Sequence, residues 1–259
     1  MVHTNKVLEK LRRGEVAIGC QIRSCAPMIA EVYGACGFDY VFIEGEHFPY
    51  NIESVLHLVR ACECGGLEPI LRVVDHDPGK ILQYLDMGVT GMIFPHCDSG
   101  AQAKEIMKAG KYTPRGERGF SNTSRATGYG TLPMDTYKEI ANQNTIMMPM
   151  IESKESVDNL DEILAAGVDA LHVGPGDLSE SYGCPIASRT VQDALDLVVR
   201  KASLCGVPVG VPAATVDEAA DFINRGFRLI SFSSDLMLLR SICSASLKEI
   251  KQRTGQGEE

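Results

Sequence analysis

Residues 68–94 read EPILRVVDHDPGKILQYLDMGVTGMIF and contain one complete strand–helix–strand unit. An apolar run ends at Arg72, an amphipathic stretch follows over 78–87, and a second apolar run begins at Gly91. Gly88 lies between them, and glycine suits the left-handed position that ends a helix. The apolar runs are near-continuous rather than alternating, which is typical of parallel strands that are covered on both faces.

The same unit recurs along the whole chain. The predicted strands span 16–22, 39–43, 68–72, 91–94, 145–151, 170–173, 208–211 and 228–232. The predicted helices span 27–35, 51–64, 78–87, 99–109, 153–166, 177–182 with 189–205, 215–224 and 235–252. Eight strand–helix units in this order predict an α/β fold of the (β/α)8 TIM barrel type. At 259 residues, the chain 1–259 is expected to form a single barrel domain.

Composition and charge exclude several classes of function. The net charge is −9 and no basic stretch is interleaved with aromatic residues, which argues against a nucleic-acid partner. No apolar run reaches the roughly 18 residues of a membrane span, and the amino terminus lacks the apolar segment of a secretory signal. The nine cysteines show no paired spacing and indicate reduced thiols. We therefore expect a cytoplasmic protein without a membrane partner.

One stretch, 111–133, interrupts the strand–helix rhythm. It is rich in Gly, Ser, Thr, Arg and Tyr and has no apolar periodicity. Because it follows a helix, its start is predicted to lie at the amino-terminal end of the barrel. Two interpretations stay open: a surface excursion, or a segment that reaches toward the site of a neighbouring subunit.

In such a barrel, the polar residues that follow the strands meet at one rim, where active sites lie. Glu152 and Asp177 follow successive strands whose axes are about 4.8 Å apart, so their carboxylates are candidates to share one hard divalent cation. Oxygen ligands favour Mg²⁺ or Mn²⁺, with Co²⁺ as a substitute. The alternative is that Asp177 caps the following helix while Glu152 faces water.

Two further features lie at the same rim. Gly174 and Gly176 flank Pro175 before a helix start, and the exposed N–H groups there suit a substrate carboxylate or phosphate. A tight turn that needs glycine is the alternative.

Arg72 and His47 are the candidates for chemistry on the substrate. Arg72 ends its strand with five N–H donors that suit an enolate or carboxylate oxygen, unless it is paired with Glu44 or Glu46. His47 is a candidate general base, although a single loop histidine is more often structural. His96, on a neighbouring loop, carries less weight.

These residues stand in motifs that together resemble the HpcH/HpaI class II aldolases, such as 4-hydroxy-2-oxoheptanedioate aldolase and 2-dehydro-3-deoxyglucarate aldolase. The resemblance covers nearly the whole chain. The motifs are FDY at 38–40, GEH at 45–47, LR at 71–72, DP at 77–78, LDMG at 85–88, RGERG at 115–119, IE at 151–152 and VGPGDLS at 173–179.

The resemblance implies roles for particular residues. Glu152 and Asp177 would hold the divalent metal, His47 would be the base, and Arg72 would stabilise the developing enolate. Asp86 would match an acid that raises the basicity of this histidine. The resemblance also implies a homo-oligomer, commonly a hexamer with sites near subunit contacts, which would give 111–133 a role.

The resemblance further implies that the backbone of Gly176 contacts the keto acid. Three other positions depart from the pattern of the family. Glu44 stands where an Asp is usual, which alters the carboxylate–imidazole geometry. Met150 replaces a substrate-contacting Gln, and Pro212 replaces a residue whose N–H is often a donor, which proline lacks.

We therefore expect metal-dependent, reversible cleavage of a 4-hydroxy-2-oxo acid to pyruvate and an aldehyde. No predicted strand ends in lysine, which argues against Schiff-base chemistry. One alternative is a lyase that forms the same enolate by decarboxylating oxaloacetate. Another, suggested by the three departures, is an inactive ligand-binding barrel.

Overall fold

A closed barrel of parallel strands forms the centre of the computed structural model, which describes residues 4–256. The strands are β1 (Ala17–Ile22), β2 (Tyr40–Glu44), β3 (Glu68–Arg72), β4 (Gly91–Phe94), β5 (Ile146–Ile151), β6 (Leu171–Val173), β7 (Val209–Ala213) and β8 (Leu229–Ser234). Each strand pairs with the next one in the chain, and β8 closes the barrel on β1. The predicted TIM barrel is confirmed.

Helices connect the strands and surround the barrel. In the described part of the chain they are α1 (Lys6–Arg12), α2 (Pro27–Ala35), α3 (Ile52–Cys64), α4 (Pro78–Met87), α5 (Gly100–Gly110), α6 (Met134–Asn144), α7 (Lys154–Asp158), α8 (Leu160–Ala165), α9 (Pro175–Tyr182), α10 (Arg189–Leu204), α11 (Val216–Arg225) and α12 (Asp235–Arg253). Helix α6 was not predicted, and the predicted helix 153–166 is divided into α7 and α8. Among residues 4–256, no helix is long and apolar enough to cross a membrane.

Side chains on the strands alternate between the barrel interior and the layer beneath the helices. Along β5, Ile146, Met148 and Met150 belong to the interior cluster, whereas Met147 and Ile151 pack in the outer layer. Both faces of the strands are therefore buried, which explains why their apolar runs are nearly continuous.

The same alternation places charged side chains at the mouth of the barrel. Phe42, Ile70 and Met150 are interior residues. Three ionisable residues stand two positions after them: Glu44, Arg72 and Glu152. Because side chains repeat their direction every second residue, all three point inward at the carboxyl end of the strands.

The 111–133 segment begins at the opposite end of the barrel, as predicted. Nζ of the fully buried Lys111 donates to the carbonyl oxygen of Thr145, just before β5, at 2.6 Å and lies 2.7 Å from Oδ2 of Asp169, just before β6. The ring centroid of Tyr112 lies 5.9 Å from that of Tyr137 in α6. The segment is thus anchored to the bottom of the barrel and to α6.

Candidate active site

Glu44 and Arg72 form a buried ion pair at the carboxyl end of the barrel. Their Cα atoms are partners in the β2–β3 register. Nε of Arg72 donates to Oε1 of Glu44 at 3.0 Å, and Nη2 donates to Oε2 at 2.5 Å. Only 1% of the Glu44 side chain and 10% of the Arg72 side chain are exposed. The pairing that the sequence left open as an alternative for Arg72 is therefore present.

Arg72 nevertheless keeps N–H groups for another ligand. Its Nη1 lies 3.1 Å from Oε2 of Glu46 and 3.9 Å from Sδ of Met150, a weak acceptor. Hydrogen bonds to Glu44 and Met150 engage three of the five N–H groups, so two remain. Met150 makes this wall of the site apolar where a glutamine would offer an amide.

Glu44 also shapes the turn after β2. Its Oε1 accepts the backbone N–H of Glu46 at 3.0 Å and that of His47 at 3.4 Å. Gly45 donates to the carbonyl oxygen of Arg72 at 3.1 Å, and a Cβ at Gly45 would lie 2.4 Å from that oxygen. The turn therefore requires glycine, and Glu44 contacts His47 through the main chain.

His47 itself lies at the rim of the barrel. Its side chain is 63% exposed, and Nε2 lies 3.8 Å from Oε2 of Glu46. The imidazole is thus accessible to a molecule that enters the mouth.

His96 is more central than its sequence context suggested. Nε2 lies 3.3 Å from Oε1 of Glu46, and Nδ1 lies 3.5 Å from Oε1 of Glu152. Its backbone N–H donates to the same Glu152 oxygen at 2.6 Å. His96 therefore links the residues that follow β2, β4 and β5, and its position two residues after the end of β4 was the available signal.

Glu152 is a buried carboxylate with an excess of negative charge around it. Its side chain is 4% exposed. Burial is the main cause that raises its pKa, and the charges of Asp177 and Glu46 raise it further, while the hydrogen bond from His96 opposes them. A Cβ at Gly174 would lie 2.9 Å from Oε2 of Glu152, so this glycine leaves room for the carboxylate. Such a site suits a cation.

The structure contradicts the alternatives for Glu152 and Asp177. Helix α9 begins after Gly174, which provides no side-chain cap, and Asp177 lies exposed in the first turn. Asp177 is therefore not the helix cap, and Glu152 does not face water. Within residues 4–256, no three His, Cys, Asp or Glu side chains form a complete metal cage.

Gly176 lies at the open start of α9. A Cβ there would meet no atom within 4 Å. The first-turn N–H groups of Gly176 and Asp177 have no acceptor within the helix, so they can serve an anion.

Pro212 lies on β7 opposite Ser231 of β8, and as a proline it has no backbone N–H to donate.

Asp86 lies away from the mouth in a single chain. It is in the last turn of α4, where Oδ1 accepts a hydrogen bond from Nη2 of Arg118 at 2.8 Å. Its backbone oxygen accepts the N–H of Ala126 at 3.0 Å. Asp86 is thus tied to the 111–133 segment, and a role beside His47 stays a prediction that requires a neighbouring subunit.

A neutral histidine lies in the barrel interior beneath the site. Nε2 of His172 lies 3.3 Å from Oγ of Ser231, which lies 3.0 Å from the Tyr40 hydroxyl. Burial, with a smaller contribution from the charge of Arg72, lowers the pKa of His172 to about 3. His172 therefore adds no positive charge below Arg72 at neutral pH.

Comparison with known proteins shows the family of the chain. A profile of the HpcH/HpaI aldolase/citrate lyase family matches residues 18–241. The chain belongs to this family. A 2-dehydro-3,6-dideoxy-6-sulfogluconate aldolase from Pseudomonas putida is 32% identical over 247 residues, which cover 94% of this chain and 96% of the relative. A 2-keto-3-deoxy-L-rhamnonate aldolase from Escherichia coli O157:H7 is 33% identical over 239 residues, 91% of this chain and 89% of the relative.

Solved structures of the HpcH/HpaI family share the fold. A family protein from Burkholderia cenocepacia superposes with a TM-score of 0.90 at 29% identity, covering 96% of this chain and 100% of the other. The named relatives are aldolases, so the expectation of a carbon–carbon lyase is confirmed at the level of the HpcH/HpaI family.

Proposed function

We propose that this protein reversibly cleaves a 4-hydroxy-2-oxo acid into pyruvate and an aldehyde, with help from a divalent cation. The observation that carries the proposal is the charge arrangement at the barrel mouth. The buried Glu152 has a raised pKa beside Asp177, and the paired Arg72 stands at the same mouth, two strands away from Glu152. A cation beside the two acids and a guanidinium at the same mouth suit a substrate that develops negative charge on oxygen.

Glu152 and Asp177 would hold the cation. Both supply carboxylate oxygens, and the negative charge that raises the Glu152 pKa is the charge that a cation offsets. Two protein carboxylates leave positions for water and substrate, as Mg²⁺ commonly requires, and Mn²⁺ or Co²⁺ accept the same ligands. When bound, the ion supplies Lewis acidity that polarises the ketone of the substrate.

His47 is assigned the proton transfer. Its exposed imidazole accepts the proton of the C4 hydroxyl while the C3–C4 bond breaks, and the electron pair of that bond passes into the C2–C3 enolate. The aldehyde leaves, and the enolate takes a proton at C3 to become pyruvate. The addition reaction follows the same steps in reverse.

Arg72 would stabilise the enolate oxygen by hydrogen bonding. Two hydrogen bonds to Glu44 and an ion pair with Glu46 hold the guanidinium, which keeps two N–H groups for the substrate. A donor that is already fixed costs no reorganisation as the charge develops. The N–H groups at Gly176 and Asp177 then suit the substrate carboxylate.

We also infer a homo-oligomer, with the hexamer as the expected form. Most of α12 is exposed although it carries large apolar side chains, such as Leu239 at 59%, Ile242 at 63% and Ile250 at 58%. Exposed apolar surface of this extent marks an interaction site. A second copy that covers α12 is the occupant that the resemblance suggests.

Proton exchange on pyruvate tests the proposal without a known aldehyde. The wild-type protein in D₂O should lose the pyruvate methyl signal in proton NMR with the diamagnetic ion Mg²⁺, and EDTA should stop the exchange. Glu152→Gln and Arg72→Ala should lower the exchange rate by about 100-fold or more, because each removes charge stabilisation of the enolate. Exchange that continues in the presence of EDTA would refute the role of the cation, and an unchanged exchange rate in Arg72→Ala would refute the role of Arg72.

A further inference from the structure

A second arginine, Arg23, directly follows β1, the strand that lies opposite β5 and therefore opposite Glu152. On β1, Ala17 belongs to the interior cluster, and a Cβ at Gly19 would meet the ring of Tyr40 at 2.5 Å, so these positions face inward. Gln21 has the same parity, and Arg23 follows two positions later. Arg23 therefore extends from the carboxyl end of β1 over the mouth.

The guanidinium of Arg23 has no anionic partner, unlike that of Arg72. Its Nη2 donates to the neutral Oε1 of Gln21 at 3.1 Å, and its Cζ lies 5.5 Å from the ring centroid of Phe48. No carboxylate among residues 4–256 lies within 4.0 Å of its nitrogen atoms, and the buried Nε has no hydrogen-bond acceptor. A buried donor without a partner costs free energy, which an anionic ligand would recover.

The backbone around Arg23 is held in place. The carboxylate of Asp235 accepts the N–H of Arg23 and the N–H of Ser24, each at 3.0 Å. The hydroxyl of Tyr50 donates to the carbonyl oxygen of Ile22 at 3.0 Å or to that of Ser24 at 2.9 Å. The arginine is thus presented from a fixed strand end, as a specificity contact requires.

The topology sets the distance between Arg23 and the acids. β1 is four strands away from β5 in either direction around the barrel. Strands about 4.8 Å apart and tilted by about 36° give a barrel about 15 Å across. At about 1.5 Å per bond, the carbon chain of a six- or seven-carbon substrate spans about 7.5–9 Å, and the side chains of Glu152 and Arg23 extend toward it from the two sides.

We propose that Arg23, supported by Gln21, binds an anionic group at the aldehyde end of the substrate. This inference rests on the proposed function and narrows it to aldehydes that carry a carboxylate or phosphate at the far end. Arginine suits both anions because its planar N–H groups match their oxygen atoms. Phe48 packs near the guanidinium and limits its competing contacts with water.

The test compares matched aldehydes in the addition to pyruvate with Mn²⁺ present. Succinic semialdehyde is paired with butanal, and glyceraldehyde 3-phosphate is paired with glyceraldehyde. The wild-type protein should prefer one anionic member over its neutral match, and the preferred pair identifies carboxylate or phosphate. Arg23→Met should lower kcat/KM for that anion by about 10- to 100-fold and leave the neutral match unchanged, with Arg23→Lys intermediate.

Arg189→Met is the matched control because it removes the same charge from a side chain that is 92% exposed. This control should leave kcat/KM unchanged for both the anionic aldehyde and its neutral match. No preference in the wild type, or an equal loss for both members in Arg23→Met, would overturn the inference while pyruvate exchange still supports the proposed function. Absence of pyruvate exchange in the wild type would refute the proposed function and this inference together.

Discussion

Glu44→Gln tests whether the buried pair with Arg72 holds the site together. The carboxylate of Glu44 accepts from Nε and Nη2 of Arg72 and from the N–H of Glu46. Glutamine keeps the shape of the side chain but removes the charge and replaces one acceptor oxygen with an amide NH₂ that cannot accept. The Arg72 side chain, 10% exposed, would then keep Glu46 as its only charged partner among residues 4–256.

The size of the effect follows from these contacts. Removing one partner of a buried pair costs about 3–5 kcal/mol, because a buried charge is left uncompensated. The remaining contact with Glu46 at 3.1 Å and the retained acceptor oxygen reduce this loss. We expect the free energy of unfolding to fall by about 2–3 kcal/mol, which for a chain of this size lowers the melting temperature by about 4–12 °C.

Denaturant and thermal unfolding of Glu44→Gln measure the loss, and pyruvate exchange should fall because Arg72 is no longer held. The matched control is Asp193→Asn, which breaks the exposed Arg189–Asp193 pair, with side chains 92% and 66% exposed. The control should cost no more than about 0.5 kcal/mol. If Glu44→Gln unfolds like the control and exchanges pyruvate at the wild-type rate, the pair does not organise the site.

Three further outcomes are expected. The folded-state pKa of His172 is lowered to about 3, below the unfolded value, so its contribution to stability is complete above about pH 6.5 and is lost as the pH falls toward 3. Between those limits, the free energy of unfolding measured in urea should fall on acidification by up to about 1.4 kcal/mol per pH unit more for the wild type than for His172→Gln. An equal dependence on pH for the two proteins would contradict this. Gly45→Ala should destabilise the protein by about 1–3 kcal/mol because its Cβ meets the Arg72 carbonyl oxygen. Gly176→Ala, whose Cβ meets no atom, should leave the melting temperature unchanged and raise the KM for pyruvate. Equal melting temperatures for the two variants would argue against the clash at Gly45. Ile242→Glu, on the exposed face of α12, should reduce the sedimentation coefficient by splitting the oligomer, and an unchanged coefficient would separate α12 from the interface.

The barrel was predictable because apolar burial leaves a local pattern. All residues of β2 and β5 are buried, so their near-continuous runs identify them as covered parallel strands. Helix α6 was missed because residues 134–144 are mostly polar and offer few apolar residues to reveal a helical period. Its Tyr137 is buried against Tyr112 of a distant segment, and such a partner exists only after folding.

The predicted end of the second strand was one residue short, and this matters for the site. β2 includes Glu44, which therefore keeps the inward direction of the strand and lies opposite Arg72. A pattern of residue types does not specify register between strands, so pairing with Glu44 or with Glu46 stayed open until the structure showed both.

Residue types and their spacing were enough to identify the parallel barrel and the rim where Arg72 and Glu152 stand, because strand periodicity and the direction of the strands are properties of the chain. The link through His96, the enclosure of Glu152 and the unpaired state of Arg23 depended on tertiary packing. Electrostatic environment is set by neighbours from other strands, at distances of a few ångströms that no linear spacing encodes.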